Sequence, residues 1–258
     1  MVIYFTSKTN NYKYFFMTYF LIPSYNEAEN LFKLVTNITQ SLYGKKTVII
    51  IDDGSTDKTV QIIKKLARKY PVRRIGYRQN AGAGNAFKHG FNYLIPKLKN
   101  NDLVVTMEAD NTTDYQVLNK MIDFAKINDL VLASPHAKDG AFLGVSYFRI
   151  VLSRISSFCD SLIFSIKGVK TYSSFYRVYT AQILKKLQEV YGSDLITQNG
   201  FSAGVEILVK ADRIGAKIVE IPATVDWRKR IGKSKMNIFK NTLGHFLLYR
   251  DYFLGKFG

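Results

Sequence analysis

Through the first half of the chain, short apolar runs bounded by turn residues alternate with longer stretches of helical period. The pattern predicts strands at Thr18–Pro23, Thr47–Ile51, Val72–Tyr77, Leu103–Met107 and Leu130–Ser134. Between them it predicts helices near Glu27–Ser41, Asp57–Lys69, Ala83–Leu94 and Tyr115–Lys126. Strand and helix in alternation mark an α/β layering, and right-handed crossovers make such a sheet mainly parallel and covered on both faces. Ligands of these sheets sit beyond the carboxyl ends of the strands. Here the first four strands run into polar clusters that begin at Pro23, Asp52, Gln79 and Glu108, which places a site on that edge.

The second half is less regular. Residues 144–166 set Phe148, Val151, Leu152, Ile155, Phe158, Leu162 and Ile166 on one helical stripe, with Arg149, Ser153, Ser156 and Asp160 opposite. The ordinary expectation is a core-facing helix. A second stripe, Ile238, Phe239, Leu243, Phe246, Leu247 and Phe253, has basic flanks. Two such helices beside a basic cluster alternatively lie in a membrane interface. Residues 202–214 form a further helical stretch carrying Glu206. No repeat or linker appears, so residues 17–258 are expected to form one domain. Residues 1–16 are a polar, aromatic extension ahead of it, and Met17 is an alternative start.

Charge sharpens this picture. Lys and Arg number 37 against 20 Asp and Glu, a formal net charge of +17, which leaves nucleic acid, an anionic membrane surface and a phosphorylated substrate as candidate partners beside plain compositional drift. Apolar residues make up 47% of the chain, enough for a substantial core and against intrinsic disorder. Cys159 is the single cysteine, so no internal disulfide forms, consistent with a reducing, cytosol-facing setting. No run is long and apolar enough to span a bilayer; the nearest, residues 141–166, is broken by Arg149, Arg154 and Asp160. The first residues lack the pattern of a secretory signal.

Asp52 and Asp53 adjoin at a strand tip and repel each other unless a cation or hydrogen-bond donor sits there. A ribose hydroxyl pair or a base N–H would serve; simple turn chemistry accounts for Gly54 and Asp57. Glu108 and Asp110 project to one side if the extended conformation persists, and two hard oxygen ligands suit a divalent cation on a diphosphate. The Asn80–Asn85 loop lets backbone approach a phosphate but is neither a Walker loop nor a dinucleotide fingerprint. His89, His136 and His245 are scattered without zinc spacing, Trp227 reads as packing, and no RNA-recognition signature appears.

Taken in order, Phe20-Leu-Ile-Pro-Ser-Tyr-Asn-Glu-Ala-Glu-Asn30, Ile51-Asp-Asp-Gly-Ser-Thr-Asp57, Glu108-Ala-Asp110, Ser174-Phe-Tyr-Arg177 and Gly232-Lys-Ser-Lys-Met236 resemble family 2 glycosyltransferases of the GT-A fold. The branch they are most similar to is that of dolichyl-phosphate mannosyltransferases and polyprenyl-phosphate glycosyltransferases, over about residues 18 to 240. The resemblance implies that Pro23, Tyr25, Glu27, Asp53 and Glu108 bind a nucleotide-sugar, and that Glu108 and Asp110 stand at the family's Asp-x-Asp to hold Mg²⁺ or Mn²⁺. It divides the domain into a nucleotide-sugar half, residues 17–135, and an acceptor and membrane-interface half, residues 136–258. Two departures stand out. Glu108 replaces the first family Asp, and Ala133-Ser-Pro-His136 stands where the family often has Gly-Ser-Arg, removing an Arg that contacts phosphate.

Transfer from a nucleotide-sugar requires stabilisation of the departing diphosphate by a cation and basic side chains. Asp110, Arg177, Arg228, Lys229 and Lys235 are the catalytic candidates; Arg228 and Arg230 flank Lys229, and the resemblance leaves open which of the three takes the basic role there. A phosphate acceptor needs a cationic berth instead of a general base, for which Arg149, Arg154 and Ser234 are candidates, with solvated surface charge as the other reading of the two arginines. The expectation is therefore a metal-dependent, inverting transferase acting on polyprenyl phosphate, peripheral on the cytosolic membrane face, with no nucleic-acid partner. Rivals are a transferase to a saccharide hydroxyl in surface glycan synthesis and an inactive basic protein that binds membrane or RNA.

Overall fold

The computed structural model describes residues 17–42, 44–232, 234 and 237–257. Strands β1 (Thr18–Ser24), β2 (Lys46–Asp53), β3 (Val72–Tyr77), β4 (Leu103–Thr106) and β5 (Leu130–Ser134) form where the apolar runs predict them. Helices α1 (Ala28–Ser41), α2 (Thr59–Ala67), α3 (Ala83–Leu94) and α4 (Leu118–Phe124) intervene. Side-chain caps trim the predicted ends: Asp57 accepts from the Thr59 amide at 2.9 Å, and Asp114 accepts from the Gln116 amide at 2.9 Å, starting a 3-10 turn ahead of α4.

Further on lie β6 (Ala141–Leu143), α5 (Tyr147–Phe164), β7 (Arg177–Thr180), α6 (Ala181–Tyr191), α7 (Ser202–Arg213), β8 (Ile218–Pro222), β9 (Thr224–Asp226) and α8 (Ile238–Phe253). The main sheet runs β3-β2-β1-β4-β7-β5-β8, parallel except for β7, which enters antiparallel between β4 and β5. Four residues opening on an arginine carry no alternation from which β7 could be read. The short pair β6–β9 stands apart.

Both faces of the sheet are covered, so its central strands are apolar on both sides. On β1, Phe20 and Ile22 pack with Leu31, Leu34, Val35 and Ile38 of α1, whereas Leu21 packs on the other face with Phe87 and Phe91 of α3. Val48 and Ile50 of β2 join the first set, Ile49 and Ile51 the second. Burying each such side chain is worth about 1.5–3 kcal/mol. The two layers hold the carboxyl ends of β1, β2 and β4 in one row beside the switch point between β1 and β4.

The expectation of a core-facing α5 is overturned. Phe148, Ile155, Phe158 and Leu162 are exposed, Phe158 at 62%, while the polar side is inward: Ser157 and Asp160 are buried. Asp160 accepts from the Tyr249 hydroxyl at 2.8 Å and lies 3.3 Å from Nδ1 of His245, both on α8. Hydrogen bonds hold α5 to α8, so the apolar stripe is free to face outward. On α8, Phe239, Leu243, Phe246 and Phe253 are likewise exposed, Phe246 at 65%. Together these side chains exceed the isolated exposed apolar residues of an ordinary surface. No described helix is long and apolar enough to cross a membrane.

Candidate active site

A cavity of 440 Å³ opens beyond the carboxyl ends of the sheet, lined by all four polar loops that the sequence pattern singled out. At one end stands Asp53. Its carboxylate accepts from Asn80 Nδ2 at 2.9 Å and from the Ala81 and Gly82 amides at 2.8 and 3.0 Å. Asp52 turns to Arg74, with Nη2 at 2.7 Å, and to the Ser55 amide at 3.0 Å. The donors that two adjoining carboxylates demand thus come from the chain itself. Gly76 permits this closeness: a Cβ there would sit 2.1 Å from the Asp52 carbonyl oxygen.

The adjacent wall carries Glu27, Glu108 and Asp110. Asp110 accepts from the Thr112 amide and hydroxyl at 3.1 and 2.8 Å, and Asn111 takes a left-handed conformation (φ 63°) to make the turn. Arg230 donates to Asp110 at 2.5 Å and stands 3.9 Å from Glu27. Burial first, then the Asp110 carboxylate, pushes the Glu108 pKa up to about 8, with Arg230 pulling it down and Glu27 adding to the rise. Three carboxylates crowd one guanidinium, a donor set that favours a further cation. Glu108 and Asp110 fit a divalent ion; since no three His, Cys, Asp or Glu form a metal shell among the described residues, water or substrate oxygens would complete it.

Arg230 is the basic residue that turns inward, and the local chain explains why. Asp226 caps a 3-10 turn over Trp227–Lys229 and binds the Arg228 guanidinium at 2.8 and 2.9 Å, holding that side chain outside, 64% exposed. Lys229 also lies on Asp226, at 3.8 Å. The Asp226 amide donates to the Thr112 carbonyl at 2.9 Å, and Asn30 clamps Ile231 through both backbone groups at 3.0 and 3.2 Å. Between these pins Arg230, 11% exposed, faces the carboxylates.

The far end of the cavity is walled by His136, Ser153 of α5, Trp227, Ser234 and Asn241 of α8. His136 Nε2 lies 3.0 Å from the Ser153 hydroxyl, and burial, aided by the Arg154 charge, lowers its pKa and favours the neutral ring. Arg149 stacks on Trp227 at 4.9 Å.

Of the residues read from the sequence, Pro23, Tyr25, Glu27, Asp53, Glu108, Asp110 and Ser234 meet in this cavity. Arg228 and Lys229 do not line it, and Arg230 replaces them. Arg177 is a second correction: it is fully buried away from the cavity, donating to the Gly204 carbonyl at 2.6 Å, the Tyr179 hydroxyl at 3.3 Å and the Tyr172 carbonyl. It ties the segment before β7 to α7. Arg149 stands behind Trp227, and Arg154 is exposed on α5, outside the cavity wall. Trp227 is a wall of the cavity as well as a packing residue. Lys235 and the 1–16 extension lie outside the described residues. The reading of the sequence gave no site role to the side chains of Thr112, Thr113, Ser173 and Ser153, hydroxyl residues that resemble ordinary loop and helix positions until the fold gathers them.

Residues 19–190 match the profile of Glycosyl transferase family 2. A dolichol-phosphate mannosyltransferase of Pyrococcus furiosus is 28% identical over 219 residues, which cover 84% of this chain but only 58% of that protein. A polyprenol monophosphomannose synthase of Mycolicibacterium smegmatis is 26% identical over 223 residues, 85% of this chain and 81% of that one. Among solved structures, glucosyl-3-phosphoglycerate synthase from Mycobacterium tuberculosis, with Mn²⁺, UDP and glucosyl-3-phosphoglycerate, superposes with a TM-score of 0.62 at 15% identity, over 93% of this chain and 83% of that one. The fold is the GT-A fold, and with the profile spanning most of its length this chain belongs to glycosyl transferase family 2.

Proposed function

We infer that this protein transfers a sugar, with inversion, from a nucleotide-sugar such as GDP-mannose or a UDP-sugar to a polyprenyl phosphate of the dolichyl or undecaprenyl kind, at the cytosolic face of a membrane. One observation carries the reading: a single cavity joins the Asp53 loop and the Glu108–Asp110 wall to an end walled by α5 and α8, the two helices whose outer faces are apolar. A soluble head and a lipid-borne phosphate would enter the same cavity from opposite sides. The mannosyltransferase and mannose-synthase relatives, named for lipid phosphates, support the acceptor class.

Pro23, Tyr25, Glu27 and the loop held by Asp53 bind the nucleoside. Glu108 and Asp110 hold Mg²⁺ or Mn²⁺, which when bound offsets the charge of the departing diphosphate. Arg230 adds a fixed positive charge beside the same group. Ser153, His136 and Ser234 place the acceptor phosphate, with the charge of Arg149 behind Trp227 favouring it, and one phosphate oxygen attacks the anomeric carbon as the bond to the diphosphate breaks. That oxygen is already anionic, so no base is required. Consistently, every carboxylate on the cavity wall comes from the end of β2 or the loops after β1 and β4, while the described residues of α5 and α8 contribute only Ser153 and Asn241.

The test is transfer of radiolabelled sugar from GDP- and UDP-sugars into organic-extractable lipid, with polyprenyl phosphate and Mn²⁺ or Mg²⁺ present or withheld. Label in the organic phase that requires both, and that Asp110→Ala abolishes, is expected. Label appearing only in water-soluble saccharide would transfer the assignment to a hydroxyl acceptor.

A further inference from the structure

Behind the donor end of the cavity lies a second set of buried polar contacts, well away from the carboxylates of the wall. Glu206 and Lys210 face each other on α7, Nζ to Oε1 at 2.6 Å, both side chains almost wholly buried. A buried pair of this kind is a weak source of stability, and its persistence points to what else the two groups hold. Glu206 accepts from the Thr197 hydroxyl at 2.7 Å and from the Thr197 and Gln198 amides at 2.9 and 3.0 Å, fixing the segment before α7. The next carbonyl, Asn199, accepts from the Gly84 amide at 2.9 Å. Contact there is close: a Cβ on Gly84 would meet the Gln198 oxygen at 2.0 Å, and one on Gly82 the Asn199 oxygen at 2.5 Å. Gly82 is the same residue whose amide bonds Asp53.

The other end of the path is the segment after α8. Lys210 Nζ donates to the Asp194 carbonyl and lies 5.1 and 5.2 Å from the Tyr191 and Phe257 rings. Phe257 is 2% exposed, and its carbonyl accepts from the Tyr191 hydroxyl at 3.0 Å. Phe257 is thus the apolar cover that keeps water from the pair. A continuous chain of contacts runs from Phe257 through the buried Lys210 and Glu206, then through the more exposed residues 197–199, to the loop on Asp53.

We propose that Glu206 and Lys210 are positioning residues through which the docked segment after α8 sets the conformation of the donor loop, residues 80–84. This rests on the donor reading above only for its catalytic consequence; the structural coupling stands apart from it. The pair touches neither the cavity nor any reacting atom, so its removal should act on donor affinity and leave acceptor affinity alone.

The test compares Phe257→Ala, Phe257→Leu and Glu206→Gln in the full chain. In Phe257→Ala, amide hydrogen exchange at Gly82, Gly84 and Gln198 should quicken roughly tenfold or more while β1 and β2 keep their protection, and Phe257→Leu should restore most of it. In transfer assays Glu206→Gln should raise donor KM several-fold with kcat and acceptor KM unchanged. Exchange unchanged at Gly82 and Gly84, or quickened equally in β1 and β2, would overturn the coupling, as would equal shifts in both KM values. Should the native protein bind no nucleotide-sugar, the functional reading fails, and the exchange comparison still decides the coupling.

Discussion

Replacing Arg230 by Gln should strengthen cation binding and weaken catalysis at once. The guanidinium, 11% exposed, holds Asp110 at 2.5 Å, so on the proposed reading it competes with a metal ion for that carboxylate. A hydrogen bond between charged groups is worth about 1.5–3 kcal/mol, partly regained when the freed arginine meets water or a diphosphate. Removing the competitor should therefore improve Mn²⁺ affinity in the absence of nucleotide by about 1–2 kcal/mol, about 5–30-fold. Turnover should fall about 10²–10³-fold, the usual cost of deleting a group aimed at developing charge. Calorimetric titration of Mn²⁺ into both proteins, beside steady-state transfer, measures the two effects. Mn²⁺ affinity that is unchanged or weaker in Arg230→Gln would refute the idea that Asp110 is a ligand restrained by this arginine.

Other consequences follow from the same geometry. Glu108 has its pKa raised from 4.5 to about 8, so folding favours the protonated acid; that contribution is complete below 4.5 and lost as pH rises through 8. Melting curves of the cation-free protein between pH 5 and 9 should show this loss, Glu108→Gln should lack it, and Mn²⁺ affinity should rise over the same window as the proton is expelled. Arg177→Met strands the Gly204 and Tyr172 carbonyls and should destabilise the fold by about 2–4 kcal/mol in urea titration; donor and acceptor KM unchanged in the folded protein would separate this residue from catalysis. Phe158→Asp with Phe246→Asp should cut sedimentation with anionic lipid vesicles while sparing thermal stability, because both rings are exposed; vesicle binding that persists would remove the interfacial reading of α5 and α8.

Much of the architecture was legible without coordinates because local patterns set it. The apolar runs of β1 to β5 and the intervening helical stripes are properties of neighbouring residues, and alternation of the two types forces a parallel sheet with its ligands beyond one edge. Glu27, Asp53, Glu108 and Asp110 could be singled out for the same reason: each follows a strand directly, so the sheet carries it to the common edge whatever the rest of the chain does. The antiparallel β7 was not legible, since its place between β4 and β5 depends on partners that lie more than forty residues away in sequence.

Orientation was the part that tertiary structure alone decided. Arg177, Arg228 and Arg230 look alike in sequence, yet one is sealed under α7, one is held outside by Asp226, and one enters the cavity because Asn30 clamps the residue after it. The apolar stripe of α5 states only that one side differs from the other. Which side faces inward was settled by Asp160, whose bonds to His245 and Tyr249 across the α8 contact make the polar face the buried one and leave the phenylalanines to the outside.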